Sequence, residues 1–322
     1  MRFTIEMPKG EDTVAVWNDL VALPFLDRLI FRADEAAHTV VLRDADLLDN
    51  SEWFQHARQT TQDLLLELRE LARASAWNSE RATTTTCHVS TAAEAERALR
   101  IANSPLKVLV ENSLRDGALL EVAARLLADE PVRQLWINPP VPPAIDVIHS
   151  GGAGDMPKHM EQEAARTRGA DIPLRLIAVV DSDRSGPGAL PSQKATAVEQ
   201  KASQLKVIAF ILAKREAENY IPNFHWQTER ERDPRNPRWS NDMTNLLSMD
   251  HDQRDYCDMD TLGCKQVPAQ YERKRPYHLE VLLGSVRQEQ DQAVLSAMAA
   301  DLRARDYSGD LSAILELIDR ER

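Results

Sequence analysis

The residues best suited to chemistry in this sequence are two aspartates that follow an apolar run. Residues 176–180 read Leu-Ile-Ala-Val-Val, and Asp181 and Asp183 come directly afterwards. A short apolar run between Pro173 and the turn residues 185–188 predicts a buried strand, most naturally of a parallel sheet. Residues two apart in an extended chain point to the same side, so both carboxylates can approach one cation. Because paired carboxylates repel each other, a divalent cation such as Mg²⁺ is the expected occupant.

Other acids follow apolar runs in the same way. Glu111 ends the run 106–110, and Asp116 stands at the start of the helix predicted after it. Glu216 and Glu218 come shortly after a third apolar run. Three parallel strands that deliver acids to the same edge would gather all these side chains around one cleft, because ligands of such sheets bind beyond the carboxyl ends. Six carboxylates in one cleft imply two metal ions rather than one, and oxygen ligands favour Mg²⁺ or Mn²⁺ over zinc.

The elements that must position these acids alternate between strands and helices. Short strands and one amphipathic helix are predicted in the first hundred residues, and helices dominate after a charged surface loop at 228–239. The predicted strands are 2–5, 29–32, 39–42, 106–110, 132–137, 144–148, 176–180 and 207–212. The pattern indicates a layered α/β core with a parallel sheet. We divide the chain into an N-terminal accessory α/β region (1–104), a core (105–225) and a mainly helical C-terminal region (226–322).

Charge, apolar run length and cysteine count limit the classes of protein to which the chain can belong. The formal charge of −12 argues against nonspecific coating of nucleic acid, so any contact with phosphate must be local. The N-terminus lacks the layout of a signal peptide and no apolar run reaches eighteen residues, which predicts a cytoplasmic protein without a membrane contact. An odd, sparse cysteine count fits a reducing compartment. A zinc site from four scattered residues matches no common ligand spacing; these residues are His251, Cys257, Cys264 and His278.

Three motifs together carry a family resemblance. They are a strand that ends in Glu111, a turn with Gly151 and Gly152, and a strand that ends in Asp181-Ser-Asp183. This arrangement resembles the Toprim fold, a parallel-sheet fold that topoisomerases, primases and several nucleases share. Residues 215–222 read Arg-Glu-Ala-Glu-Asn-Tyr-Ile-Pro and are similar to the Toprim nuclease region of the overcoming-lysogenisation-defect family and its free-standing antiphage relatives.

The resemblance spans residues 106–222 and implies roles for individual residues. Glu111 would be a general acid/base or a metal ligand, and Asp181 and Asp183 would be the metal-binding pair. Glu216 and Glu218 would hold the second ion. Gly151 and Gly152 would form the tight turn at the cleft.

The chain departs from the family pattern at three places. Asn112 stands where the family has a glycine, and Asp116 comes one residue later than the usual second acid. Asp260 stands where a catalytic lysine is expected, and Lys265 is the candidate for its substitute. Downstream, a basic segment interleaved with aromatic residues is the best candidate for gripping a nucleic-acid backbone; its cations are Arg273, Lys274 and Arg275.

The function implied by the resemblance is that of a Mg²⁺- or Mn²⁺-dependent nuclease. It would cut nucleic acid, DNA rather than RNA, as the effector of an antiphage system that works beside a separate ATPase or sensor. No Gly-Lys-Ser/Thr occurs, so the chain has no phosphate-binding loop of its own. Two alternatives stay open: a Toprim-derived interaction subunit whose catalysis has lapsed, and a metal-dependent phosphatase. Assembly into a homo-oligomer is also left open.

Overall fold

A three-stranded parallel sheet organises the N-terminal part of the protein. The structure, a computed structural model, describes residues 2–6, 23–36, 38–43, 52–74, 86–232, 237–260 and 277–322. The strands β1 (Arg2–Glu6), β2 (Thr39–Arg43) and β3 (Thr86–Val89) lie in the order β2-β1-β3. The accompanying helices are α1 (Leu23–Glu35), α2 (Glu52–His56), α3 (Gln59–Ala74) and α4 (Ala92–Ala102). Phe3 and Ile5 of β1 are fully buried among the helices in a core of their own.

A four-stranded parallel sheet forms the centre of the protein. Its strands are β4 (Leu106–Val110), β5 (Ile145–His149), β6 (Leu176–Val180) and β7 (Ile208–Ile211), in the order β5-β4-β6-β7. Every residue of β4 and β6 is buried, whereas the edge strands β5 and β7 are partly exposed. Such continuous apolar strands are typical of a sheet covered on both faces, and the predicted parallel α/β architecture is confirmed.

Helices cover this sheet on both faces. The connections are α5 (Asp116–Leu127) and α6 (Glu130–Ile137) after β4, α7 (Met156–Gly169) after β5, and α8 (Gln193–Leu205) after β6. Val108 and Val110 pack with α5, while Leu109 packs with α7 and α8. Because successive strand residues face opposite sides, α5 lies on one face and α7 and α8 lie on the other.

The C-terminal helices complete the face that α5 covers. They are α9 (Asn223–Arg232), α10 (Pro237–Ser248), α11 (His251–Tyr256), α12 (His278–Gln288), α13 (Gln292–Arg305) and α14 (Asp310–Glu321). Helices α12, α13 and α14 each contact α5. Leu282, Leu302 and Ile314 are fully buried in the same cluster as Val108 and Val110. The C-terminal helices therefore share one core with the sheet.

Two predicted strands are helices in the structure. Residues 29–32 belong to α1, where Leu26, Leu29, Ile30 and Ala33 are buried at the three- and four-residue spacing of one helix face. Residues 132–137 belong to α6, which has a proline in its first turn and buries Val132 and Leu135, three residues apart. Short apolar runs fit both periods, and in each case packing against neighbouring elements selects the helix.

The loop predicted at 228–239 is also wrong where the structure describes it. Residues 228–232 continue α9, and residues 237–239 begin α10. Charge and proline content suggested a loop, but Pro237 stands at the first position of its helix, where a missing N–H costs nothing. Cys87 and Cys257 are free thiols, and Cys264 lies outside the described residues. Among the described helices, none has the length and apolar character needed to cross a bilayer.

Candidate functional site

The two central strands end beside each other at the carboxyl edge of the four-stranded sheet. Glu111 follows β4 and Asp181 follows β6. The chain leaves β4 into α5 on one face and leaves β6 into α8 on the opposite face. This divergence opens a crevice between neighbouring strands, which is where open α/β sheets bind their ligands. The topology thus places two of the predicted acids at the natural binding position of the fold.

Glu111 bridges three segments of this crevice. Its Oε1 accepts a hydrogen bond from the backbone N–H of Asp181 at 3.1 Å, and its Oε2 accepts one from Ala153 at 3.0 Å. Ala153 follows Gly151 and Gly152, whose φ angles of 85° and 138° favour glycine strongly. The glycine turn therefore presents a backbone donor to Glu111, and the carboxylate is held in one orientation between β4, β5 and β6.

Asp116, the first residue of α5, faces the same crevice. Its Oδ2 accepts a hydrogen bond from the backbone N–H of Asn112 at 2.8 Å, while Asp116 donates its own N–H to the Asn112 carbonyl at 2.9 Å. Its Oδ1 is buried and has no hydrogen-bond partner. A buried carboxylate oxygen normally has a partner, so this atom is suited to accept a ligand.

Asp181 and Glu218 complete a group of four carboxylates, of which Glu111 is half-buried and the other three are buried. Asp181 Oδ1 accepts a hydrogen bond from the backbone N–H of Ala217 at 2.9 Å, which ties the end of β6 to the 3₁₀ turn Ala217–Tyr220. Glu218 lies within that turn and is fully buried. Its Oε2 is a second buried carboxylate oxygen without a hydrogen-bond partner.

The pKa values of three of these carboxyl groups are raised, by burial and by the charges of their neighbours. Burial raises the pKa of Asp181 well above its usual value, and the charges of Asp116, Glu111 and Glu218 raise it further. Burial also raises the pKa of Asp116, to about 7, although Arg115 opposes the shift. The pKa of Glu111 is raised mainly by burial and additionally by Asp183. Without a cation, Glu111, Asp116 and Asp181 keep their protons to a higher pH than ordinary carboxylates, because the pKa of each is raised, and a bound cation would reverse this.

Arg115 is a positively charged residue of the site that was not predicted from the sequence. Its Nη1 lies 3.3 Å from Glu218 Oε1, and its guanidinium carbon lies 5.7 Å from the centre of the Tyr277 ring. Burial lowers the pKa of Arg115, but Glu218, Asp116 and Asp181 outweigh burial and raise it overall. The one sequence feature that pointed to a site role for Arg115 is its position directly before Asp116, an acid at the start of a helix.

Asp183 and Glu216 lie differently from what the sequence suggested. Because β6 ends at Val180, strand alternation does not extend to Asp183, which is exposed and has a positive φ of 52°. The charge of its carboxylate contributes to the raised pKa of Glu111. The Glu216 carboxylate lies 3.4 Å from Arg215 Nε. Burial is the main cause of a raised pKa of the Cys257 thiol, and nearby arginines oppose this shift. The charge of Glu216 also raises the thiol pKa.

Four predicted site residues lie outside the described residues, so the structure neither groups nor separates them. They are Lys265, Arg273, Lys274 and Arg275. The zinc set that the ligand spacing argued against has its two histidines in different surroundings: His251 is exposed and meets the Tyr307 ring edge-on with ring centres 5.1 Å apart, whereas His278 is buried beside Trp226.

The donor set of the crevice fits a hard divalent cation. Four carboxylates converge, two of their oxygens have no hydrogen-bond partner, and the pKa shifts show mutual repulsion that a cation would relieve. Glu111, Asp116, Asp181 and Glu218 could therefore hold Mg²⁺ or Mn²⁺. No protein-family model, no curated protein and no solved structure matches the chain.

Proposed function

We propose that this chain is a metal-dependent nuclease that hydrolyses phosphodiester bonds at the crevice between β4 and β6. The observation that carries the proposal is the convergence of four carboxylates, three of them buried, at the switch point of a parallel sheet. Phosphate esters are bound and cleaved at such positions when carboxylates hold divalent cations. The Toprim resemblance of residues 106–222 supports the same chemistry.

Each residue of the group has a role in this reaction. Asp116, Asp181 and Glu218 would hold Mg²⁺ or Mn²⁺, which when bound supplies an activated water and stabilises the leaving oxygen. Glu111 is fixed by two backbone donors, and its raised pKa suits a carboxylate that accepts a proton from the attacking water. Arg115 carries a permanent positive charge beside the acids and can pair with a phosphate oxygen.

A second candidate is a Toprim-derived binding subunit without catalysis. The observation that favours it is the ion pair between Arg115 and Glu218, which places a guanidinium where a cation would otherwise neutralise the acids. Asn112 and Asp260, at positions where the family has glycine and lysine, point the same way. In this candidate Arg115 is a structural counter-ion, and metal would not bind to the crevice.

Cleavage assays separate the two candidates. We would incubate supercoiled plasmid DNA and a structured RNA with the purified chain in Mg²⁺ or Mn²⁺, and compare Asp181→Asn with the exposed control Glu199→Gln. Because bound metal supplies several kcal/mol of transition-state stabilisation, Asp181→Asn should cut at least about 100-fold more slowly while the control cuts normally. Absence of cutting by the wild type, also with its co-purifying partner, would favour the binding subunit. Turnover of a phosphomonoester without cutting would instead favour a phosphatase.

The resemblance extends the proposal to the setting of the reaction. We propose a cytoplasmic antiphage effector that cuts DNA in preference to RNA and is controlled by a separate ATPase or sensor, since the sequence contains no phosphate-binding loop of its own. Affinity purification from infected and uninfected cells tests this directly. An ATP-hydrolysing partner should co-purify; a chain that cuts at full rate alone would contradict partner control.

A further inference from the structure

A second group of metal-ligating side chains lies away from the carboxylate crevice. His225 and Glu229 are four residues apart on one face of α9, and His278 is the first residue of α12. Their exposed fractions are 4%, 1% and 0%. Two histidines and a glutamate from two helices therefore meet at a point that is largely shielded from solvent.

The separations between their ligand atoms match a metal site. His225 Nε2 lies 3.1 Å from His278 Nδ1, and His278 Nδ1 lies 3.9 Å from Glu229 Oε2. One ligand atom from each residue lies within 4.8 Å of the others. An ion with zinc–ligand distances of about 2.0–2.1 Å in a tetrahedral site separates its ligands by roughly 3.4 Å. The observed separations lie on both sides of this value, so small side-chain rotations would complete the geometry.

The surroundings of the group would hold such an ion firmly. The Trp226 ring centre lies 4.9 Å from that of His278 and 5.2 Å from that of His225, so both imidazoles are fixed by packing. Trp226 itself is fully buried in the main core. Low polarity around a metal site strengthens the interaction of the ion with its ligands and limits solvent access.

We propose that His225, Glu229 and His278 bind a zinc ion that joins α9 to α12. Two imidazoles and a carboxylate are a ligand set that zinc uses in proteins, and one water molecule would complete the tetrahedron. Both facing nitrogens must then be unprotonated, so each imidazole carries its hydrogen on the opposite ring nitrogen. The site fixes His278 and hence the adjacent Tyr277, whose ring lies against Arg115 of the crevice. It does not depend on whether the crevice hydrolyses anything.

Metal analysis of the full chain tests the proposal. Purified wild type, stripped with a zinc chelator and reloaded with Zn²⁺ before desalting, should retain one equivalent. His225→Gln and Glu229→Gln should lose at least about 10-fold in Zn²⁺ affinity, whereas the exposed His251→Gln should bind like the wild type. Loss of zinc in Asp181→Asn with retention in His225→Gln would assign the ion to the crevice and overturn the proposal.

Spectroscopy on the wild type tests the zinc site without relying on the folding of variants. Co²⁺ loaded in place of Zn²⁺ should show the visible absorption of a tetrahedral ion with nitrogen and oxygen ligands. Binding should weaken as the pH falls below about 6, because protons compete for the imidazoles. No tetrahedral Co²⁺ absorption after reloading would refute the site.

Discussion

Replacing Asp116 by asparagine should stabilise the metal-free protein at alkaline pH. Asp116 is buried, and its Oδ1 has no hydrogen-bond partner. Asparagine has nearly the same shape, and its amide oxygen can still accept the hydrogen bond from Asn112. The substitution therefore removes little except a negative charge that is surrounded by other carboxylates. Most buried polar substitutions destabilise a protein, so an increase in stability is a distinctive outcome.

The size and sign of the effect follow from the pKa. Burial raises the pKa of Asp116 from 3.8 to about 7 in the folded protein. Below about pH 4 the group is protonated in both states and costs nothing. Between about pH 4 and 7 only the unfolded chain releases the proton, so the folded state loses stability as the pH rises. Above pH 7 the full penalty of about 4 kcal/mol remains, at about 1.36 kcal/mol per pKa unit, and the variant gains up to this amount.

Urea unfolding in EDTA and in Mg²⁺, at pH 4 and pH 8, measures this difference. In EDTA the variant should be more stable than the wild type at pH 8 and equally stable at pH 4. In Mg²⁺ at pH 8 the wild type should gain more than the variant, because it keeps all its ligands. Glu199→Gln, an exposed acid on α8, should follow the wild type throughout. A variant that is no more stable at pH 8 in EDTA, or equally stabilised at pH 4, would refute the assignment of Asp116 to a repulsive group.

Two further substitutions test how the crevice is built. Gly152→Ala should lower the free energy of unfolding by about 1–3 kcal/mol and slow cleavage, because a side chain at a φ of 138° strains the turn that presents Ala153 to Glu111. The control is Gly154→Ala, since Gly154 has an ordinary φ and open space around it. This control should change the free energy of unfolding by less than about 0.5 kcal/mol. Tyr220→Phe should cost about 1–3 kcal/mol in urea unfolding, because the Tyr220 hydroxyl donates to Asp310, and an unchanged midpoint would show that this buried bond contributes nothing.

Residues whose position depends on a strand end could be predicted from the sequence. Glu111 and Asp181 directly follow buried apolar runs, and parallel strands carry their ends to one edge, so local pattern and topology sufficed. The same reasoning does not extend to Asp183, because alternation holds only while the chain stays extended and β6 ends at Val180; its site role stays a prediction. The predicted strand at residues 29–32 was wrong, because the packing partners that select a helix there lie elsewhere in the chain.

Contacts between distant segments could not be predicted in this way. Arg115 meets Glu218 across 103 residues of sequence, and His225 meets His278 across 53. Neither pair follows from a local period, because both depend on how the C-terminal segments fold back onto the face covered by α5. The one local indication was the four-residue spacing of His225 and Glu229, which places two potential ligands on one helix face.

The charge of the crevice gives a physical reason for two cations. When ionised, the four carboxylates of the group carry four negative charges, and Arg115 offsets one of them. One divalent ion would leave the crevice with a net negative charge, which repels a phosphodiester. A second divalent ion would leave one net positive charge, which matches the single negative charge of the substrate phosphate. We therefore expect the second ion to bind mainly together with nucleic acid, so that Mn²⁺ titrations should reach one equivalent in the crevice without DNA and two with it.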